Sequence, residues 1–207
     1  MSFLSDPFSF VLWIIAILLS LSVHEFSHAA VAKLLGDDTA ERAGRLTLNP
    51  LAHVDGLGLL MLVVAGFGWG RPVPIDETRL KFRRFGPALV AAAGPLSNLL
   101  FAIFVTLLAG VVLGSVTQDS PLFIFFQLLV VMNLGLMLFN LIPIPPLDGS
   151  KWLFALLPDR LWSWREFLEV RGPLLLLGLL ILDRLTGGSI FGAFFSFVFQ
   201  GIARWIG

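Results

Sequence analysis

Residues 11–32 read VLWIIAILLSLSVHEFSHAAVA, and this stretch decides what kind of protein the chain can be. The run is long and apolar enough to cross a bilayer as a helix, which takes about 20 residues. It nevertheless contains His24, Glu25 and His28, and ionisable side chains inside a membrane segment are costly and mark functional positions. Histidines four residues apart lie on one face of a helix, so both imidazoles can reach one metal ion. The spacing predicts a metal site in a membrane helix, with Glu25 placed to hold or deprotonate a water molecule there.

The composition of the whole chain indicates an integral membrane protein. Of its 207 residues, 57% are hydrophobic and 14% are charged, whereas a soluble domain has roughly 25% charged residues. The formal net charge is zero, so nothing indicates nucleic acid as a partner. The chain has no cysteine, so a metal would have to be held by histidine and carboxylate. We expect one membrane-embedded domain over residues 1–207. A cleaved signal peptide is not expected, because no basic residue precedes Phe8.

Hydropathy predicts an all-α polytopic membrane protein with about five transmembrane helices. The expected spans are residues 8–35, 87–116, 121–142, 174–182 extended back to 167, and 190–206. Residues 57–67 are apolar but too short to span, and the many glycines in and around them favour a re-entrant segment buried within the protein.

The basic residues predict the orientation of the chain. Twelve of the 14 lysines and arginines fall in residues 33–55, 71–84 and 145–171. If residues 57–67 are re-entrant, all twelve lie on one side, which the positive-inside rule makes the cytoplasm. If they span the membrane, the first of these three segments would lie opposite the other two. We prefer the first arrangement, with the candidate site toward the cytoplasmic side of the membrane.

Residues 70–76, GRPVPID, are predicted to be extended, because two prolines among alternating apolar residues exclude a helix. A membrane-associated β-hairpin or exposed edge here could pair with an extended peptide. The alternative is a plain rigid turn.

A third metal ligand is needed, because a catalytic zinc ion usually has three protein ligands and one open position. Asp148 is a candidate: it ends the proline-rich break NLIPIPPLDG at residues 140–149, after the third long apolar run. The alternative role for Asp148 is the N-cap of a helix that begins near Ser150. His53 is the remaining histidine.

These motifs together resemble the site-2 protease family of intramembrane zinc metalloproteases, in its short bacterial and archaeal form without PDZ or nucleotide-binding regulatory domains. The pentapeptide 24–28 matches the family's zinc motif, and residues 140–149 match its second signature. Residues 44–55 and 93–98 are also similar to the family, and residues 68–74 resemble its β-hairpin. The resemblance covers about residues 12–157, whereas residues 167–206 are generic membrane helix. Gly56 stands where the family commonly has proline.

The resemblance implies that His24, His28 and Asp148 hold one Zn²⁺ ion per chain and that Glu25 is the general base. It also implies that the amide of Asn140 lies near the scissile carbonyl, where it could stabilise the developing oxyanion. The alternative for Asn140 is that of a residue at the C-terminus of its helix, bonded to nearby backbone that Pro143 leaves free.

Two further residues, His53 and Asn98, are candidates for roles other than binding the metal. His53, with Asp55, is expected to position the hairpin or to close the site. For Asn98, an interhelical hydrogen bond is at least as reasonable as a catalytic role.

The expected function is that of an intramembrane zinc metalloendopeptidase that hydrolyses a peptide bond within or near a transmembrane helix of a client protein, in regulated intramembrane proteolysis. Its partners would be that client and the lipid bilayer, and a homo-oligomer stays open. The alternatives are a membrane metal transporter or sensor that uses the same His/His/Asp site without hydrolysis, and a catalytically dead scaffold. Glu25 discriminates among them, because only hydrolysis requires a carboxylate beside the ligands but outside the coordination shell.

Overall fold

The computed structural model of the protein describes residues 6–65, 68–114, 117–188 and 192–193. The chain divides into two compact units, Met1–Asn140 and Leu141–Gly207. The described part of the first unit contains the helices α1 (Pro7–Leu34), α2 (Thr39–Arg42), α3 (Gly56–Ala65), α4 (Gly86–Val112) and α5 (Pro121–Asn140). That of the second contains α6 (Gly149–Leu156) and α7 (Trp162–Leu185).

Helix α1 begins and ends at clear local signals. The Asp6 carboxylate caps its N-terminus by accepting backbone N–H groups of Phe8 at 3.2 Å and Ser9 at 3.0 Å. After the last turn, Gly36 takes the left-handed conformation with φ 106°, a common way for a helix to end. The 28 residues between these signals rise about 42 Å at 1.5 Å per residue, enough to cross the roughly 30 Å hydrocarbon core of a bilayer.

Helices α1, α4 and α5 pack against one another and form the core of the first unit. Ala16, Val105, Leu128 and Leu129 are buried at their contact. Small residues dominate the buried faces of α1 and α4. In lipid there is little hydrophobic force between helices, so close approach through small residues is what allows them to associate.

Three described helices are long and apolar enough to cross a membrane, namely α1, α4 and α5. The protein is therefore a membrane protein, and the regular secondary structure of its described residues is helical, as the sequence predicts. The expected spans 8–35, 87–116 and 121–142 correspond to these helices. Helix α7 runs unbroken through Arg171, but its first half carries several charged residues. A total of five spans stays a prediction, and the last one, 190–206, lies outside the described residues except for 192–193.

Between α2 and α4 the sequence predicts a re-entrant segment followed by a β-hairpin. Residues 56–65 form a ten-residue helix, α3, about 15 Å long and too short to span; its re-entrant course stays a prediction. Residues 71–76 form neither helix nor strand. Among the described residues the expected hairpin is represented only by an isolated antiparallel bridge between Val54 and Gly70, so the hairpin also stays a prediction.

The second unit has its own packing centre. Phe154 on α6 is buried, and the Arg165 guanidinium of α7 lies 5.3 Å from its ring centroid. The same guanidinium lies 4.9 Å from the Trp162 ring and donates to Glu169 at 3.1 Å. Arg165 therefore holds the first turns of α7 against α6 through cation–π contacts.

Candidate metal centre

The two histidines of the zinc-like motif lie side by side on α1, as their spacing predicts. His24 and His28 are buried, with 4% and 7% of their surface exposed. Their rings meet edge to face, with centroids 4.6 Å apart, and their Nε2 atoms are 3.0 Å apart. The two inner nitrogens can therefore share one small ion with Zn–N bonds of the usual 2.0–2.1 Å.

The outer nitrogen of each ring has an acceptor on α4. His28 Nδ1 donates to the Val90 carbonyl at 2.8 Å, and His24 Nδ1 donates to Asn98 Oδ1 at 2.6 Å. A neutral imidazole carries one hydrogen, so a hydrogen on Nδ1 leaves Nε2 unprotonated. Such acceptors commonly orient metal-ligating histidines. The pair is thus in the tautomer that binds metal, and its residues fit a zinc ion.

Gly94 lets α4 approach the two rings closely. A Cβ atom at this position would lie 2.5 Å from His28 Nε2 and 2.6 Å from His24 Nε2, where an ordinary contact is at least 3.4 Å. Val90, Gly94 and Asn98 follow one another at four-residue intervals, so they share one face of α4. That face therefore supplies one hydrogen-bond acceptor to each histidine and, at Gly94, the space that the two rings occupy.

Glu25 is partly buried and contacts residues 71–76, the segment that follows α3. Its Oε2 accepts the backbone N–H of Val73 at 3.2 Å. Pro72 and Pro74 flank Val73 and have no N–H of their own. The Val73 N–H is thus the backbone donor by which this segment bonds the candidate base.

Arg45 and His53 hold the same segment from the other side. The buried guanidinium of Arg45 donates to the carbonyls of Arg71 and, at 3.3 Å, Pro72. His53, fully buried, donates from Nε2 to the Thr47 carbonyl at 2.8 Å. Its backbone carbonyl accepts the Arg71 N–H at 2.8 Å. His53 therefore has the positioning contacts expected of it.

We call Arg45 and His53, which bond this segment, the clamp, and Arg45 also interacts electrostatically with Glu25. Burial lowers the pKa of the Arg45 guanidinium, and the negative charge of Glu25 opposes that shift. The guanidinium therefore stays a donor to the two carbonyls while lying within the field of the candidate base.

Asp37 fixes the far end of the segment. Its carboxylate accepts the backbone N–H of Asp76 at 2.7 Å and that of Thr39 at 3.0 Å. Burial raises the pKa of this carboxyl, but hydrogen bonds from Thr39 and from the Asp76 amide outweigh it, so the pKa lies below its ordinary value of 3.8.

The structure places the other two predicted site residues as follows. Asn140 is the last residue of α5, and its Nδ2 donates to the Leu136 carbonyl at 3.0 Å, one turn back in its own helix, so both roles expected of Asn140 stay predictions. Asp148, in the second unit, occupies the N-cap position of α6, but its side chain does not cap the helix. The capping role weighed for Asp148 is therefore not what its side chain performs.

The sequence analysis missed several residues that support the histidines. The Val90 carbonyl has no sequence signal, since any residue supplies one. Ser20 and Asn133 are fully buried and bonded to Asn98. A signal for both existed, because polar side chains in the middle of apolar membrane helices usually have a partner.

The family description "Peptidase family M50" matches residues 111–171. The chain is 41% identical over 163 residues to "Putative zinc metalloprotease YwhC" of Bacillus subtilis, covering 75% of this chain and 74% of the relative. It is 31% identical over 215 aligned positions to "Putative zinc metalloprotease Rip2" of Mycolicibacterium smegmatis, covering 95% of this chain and 77% of the relative. No solved structure matches the chain.

These findings agree with the site-2 protease resemblance and with the paired, metal-ready histidines of α1. The family implies zinc, which the donors on α1 fit. This chain belongs to peptidase family M50, the site-2 protease family, and is a membrane zinc metalloprotease.

Proposed function

We propose that the protein is an intramembrane endopeptidase that hydrolyses a peptide bond within or near a transmembrane helix of a client membrane protein. The observation that carries the proposal is the depth of the histidine pair. His24 and His28 lie in the second half of a 28-residue apolar helix, with buried rings and their outer nitrogens bonded to a second long apolar helix. A site built into such helices suits a substrate that is itself in the bilayer.

The proposed roles of the residues follow from their chemistry. His24 and His28 would hold zinc through Nε2, with Asp148 as the third ligand. Asp148 is proposed from sequence, because the chain offers no cysteine and a catalytic zinc needs a third ligand. When bound, zinc supplies a Lewis acid and lowers the pKa of water. Glu25 would take the proton from that water and pass it to the leaving amine.

Asn140 is proposed as a donor to the carbonyl oxygen that becomes negatively charged. Its Nδ2 donates one of its two hydrogens to the Leu136 carbonyl, so the second hydrogen is the one proposed to reach the oxyanion. A charge-assisted bond of this kind is stronger than one between neutral groups.

The client must present an extended peptide, because an amide within a helix is hydrogen-bonded and shielded. Residues 71–76 are the proposed place where the unwound strand pairs. The Val73 amide is bonded to Glu25, so pairing of the client with this amide would also release the carboxylate. We therefore propose that client binding and exposure of the base are coupled.

The proposed location is the plasma membrane, with the site toward the cytoplasm and with cleavage serving regulated proteolysis. The support is the bias of basic residues toward segments 33–55, 71–84 and 145–171. Membership of a peptidase family favours hydrolysis over the transport alternative.

The test uses purified protein in liposomes with a set of single-span reporters and an unfolded soluble polypeptide as comparator. Wild type should cut reporters inside or beside the apolar segment, as mapped by mass spectrometry of the fragments. Glu25→Gln should bind zinc normally and cut nothing. The matched control is Glu41→Gln, which changes an exposed carboxylate paired with Lys33. Cleavage of the soluble polypeptide alone would contradict the intramembrane assignment, and cleavage by Glu25→Gln would contradict the proposed base.

A further inference from the structure

Two asparagines lie fully buried within the apolar bundle of the first unit. Asn98 on α4 and Asn133 on α5 each have 0% of their surface exposed. An amide in such a place is costly unless its donors and acceptor are bonded. Each amide has two hydrogens to donate and one oxygen to accept, so the bonds they make decide which way each side chain faces.

Asn133 is fixed in one orientation by its two acceptors. Its Nδ2 donates to the Leu129 carbonyl at 2.8 Å and to Ser20 Oγ at 2.8 Å. Ser20 Oγ has spent its own hydrogen on the Ala16 carbonyl at 2.8 Å, so toward Asn133 it acts as an acceptor. If the amide turned over, its oxygen would face the Leu129 carbonyl. The Oδ1 of Asn133 must therefore face the other way, toward Asn98.

This orientation passes to Asn98. The Nδ2 of Asn98 donates to Asn133 Oδ1 at 2.7 Å and to the Ser20 carbonyl at 3.1 Å. Both hydrogens are used, so the Oδ1 of Asn98 faces His24 Nδ1 at 2.6 Å. An oxygen at this place requires a hydrogen on Nδ1 and leaves Nε2 of His24 unprotonated.

We propose that Asn133 and Ser20 are positioning residues that act through Asn98 to keep His24 in the tautomer able to bind zinc. The proposal rests on the metal site proposed above and adds to it a part played by the third helix of the bundle. We name Ser20, Asn98 and Asn133 together the amide chain.

The two histidines differ in a way that explains why the amide chain is needed. His28 is oriented by the Val90 carbonyl, a main-chain oxygen that cannot exchange places with a donor. His24 is oriented by a side-chain amide, whose nitrogen and oxygen can exchange by a half-turn. With Nδ2 toward His24, the ring would carry its hydrogen on Nε2 and could not bind zinc. Asn133 opposes that half-turn by supplying the shorter of the two acceptors of Asn98 Nδ2, at 2.7 Å against 3.1 Å for the Ser20 carbonyl.

The test compares two amide-to-leucine changes on one helix. Asn133→Leu removes the acceptor while keeping the number and branching of the side-chain heavy atoms, and Gln127→Leu is the matched control at an exposed position of α5. Zinc affinity is measured on metal-stripped protein by competition with a chelator. Loss of a group that orients a metal ligand typically lowers affinity about 10- to 100-fold, so Asn133→Leu should lose that much and Gln127→Leu should equal wild type.

A second readout separates positioning from a general weakening of the fold. In metal-free protein labelled with ¹⁵N-histidine, nitrogen chemical shifts report the tautomer of each of the three histidines. The wild-type His24 signal should be that of the Nδ1–H tautomer, and Asn133→Leu should show a mixture. The His28 signal should not change, because its partner is the backbone.

Ser20→Ala provides a milder variant in case Asn133→Leu does not fold. It removes one acceptor of Asn133, and a single hydrogen bond of about 1 kcal/mol corresponds to about a fivefold loss of zinc affinity. Ser22→Ala is its control, since Ser22 is also buried and bonds the carbonyl four residues back at 2.7 Å outside the amide chain.

The outcomes are distinguishable. Zinc affinity of Asn133→Leu and Ser20→Ala within twofold of their controls, with an unchanged His24 tautomer, would overturn the role of the amide chain. If instead His24→Ala retained wild-type zinc affinity, the proposed metal site itself would be wrong. A large loss in His24→Ala together with the graded losses in the two chain variants would support both.

Discussion

The close approach of α4 to the histidine pair makes Gly94→Ala the most informative single substitution. The added methyl carbon would lie 2.5 Å and 2.6 Å from the two Nε2 atoms. To reach the ordinary contact distance of 3.4 Å, the separations from His28 Nε2 and His24 Nε2 must grow by 0.9 Å and 0.8 Å. Metal–ligand distances tolerate only about 0.2 Å, so the required shift exceeds what the coordination can absorb.

The cost falls on metal binding more than on folding. Crowding of a packed site by one methyl typically costs about 1–3 kcal/mol, and alanine recovers up to about 1 kcal/mol of helix propensity over glycine. We therefore expect a folded protein whose zinc affinity is reduced more than tenfold and whose proteolytic activity is lost.

The assay combines chelator competition on metal-stripped protein with thermal unfolding followed by circular dichroism. The control is Gly110→Ala, because Gly110 lies on the same helix and a Cβ there meets nothing within 4 Å. This control should bind zinc as wild type does and be slightly more stable. If Gly94→Ala bound zinc with wild-type affinity, the rings would not lie against α4 as described, and the reasoning would fail.

Three further predictions concern the clamp, the acid response and the topology. Arg45→Leu should lower the free energy of unfolding by about 1–3 kcal/mol, because two carbonyls lose their buried donor, and should speed limited proteolysis within residues 71–76. Arg45→Lys should lie between wild type and Arg45→Leu, since lysine lacks the guanidinium fork. Equal rates of proteolysis in all three proteins would contradict the clamp. The pKa of the Asp37 carboxyl is lowered in the folded state, so its contribution to stability is present above its ordinary value of 3.8 and is lost as pH falls through the lowered folded pKa. Hydrogen exchange should therefore show faster exchange of the Thr39 and Asp76 backbone N–H groups, which bond the Asp37 carboxylate, as this carboxyl becomes protonated. Asp37→Asn should not show this pH effect. Since the chain has no cysteine, single-cysteine variants report sidedness: an impermeant maleimide should label Asp119→Cys in intact cells and Glu77→Cys only after permeabilisation, and the reverse pattern would contradict the cytoplasmic orientation.

Local sequence was sufficient for the three long helices and for the meeting of His24 with His28. Each depends on a short-range property: a run of apolar residues, or a four-residue interval on one helix. The segment around α3 was harder, because a glycine-rich apolar run is compatible with a short helix, a turn or irregular backbone. Its helical form and the single bridge from Val54 to Gly70 depend on packing that no local pattern encodes.

The clamp on residues 71–76 shows the same limit. The prolines predict an extended backbone there, and the structure has neither helix nor strand at residues 71–76, so the extended form stays a prediction. The sequence also suggested a free edge, whereas the amides of Arg71 and Val73 are already bonded within the chain, to His53 and Glu25. Which partners an extended segment takes depends on what the rest of the fold brings beside it.

The sequence by itself therefore determined the chemistry: a membrane helix with two histidines on one face, a carboxylate between them and no thiol in the chain. Only the tertiary structure decided that this chemistry is ready for a metal. The acceptors for His24 and His28 are 74 and 62 residues away along the chain, and Ser20 and Asn133 are 113 residues apart. The register in which α4 and α5 pack on α1 brings them together, through small residues and buried hydrogen bonds rather than through any periodicity of the sequence.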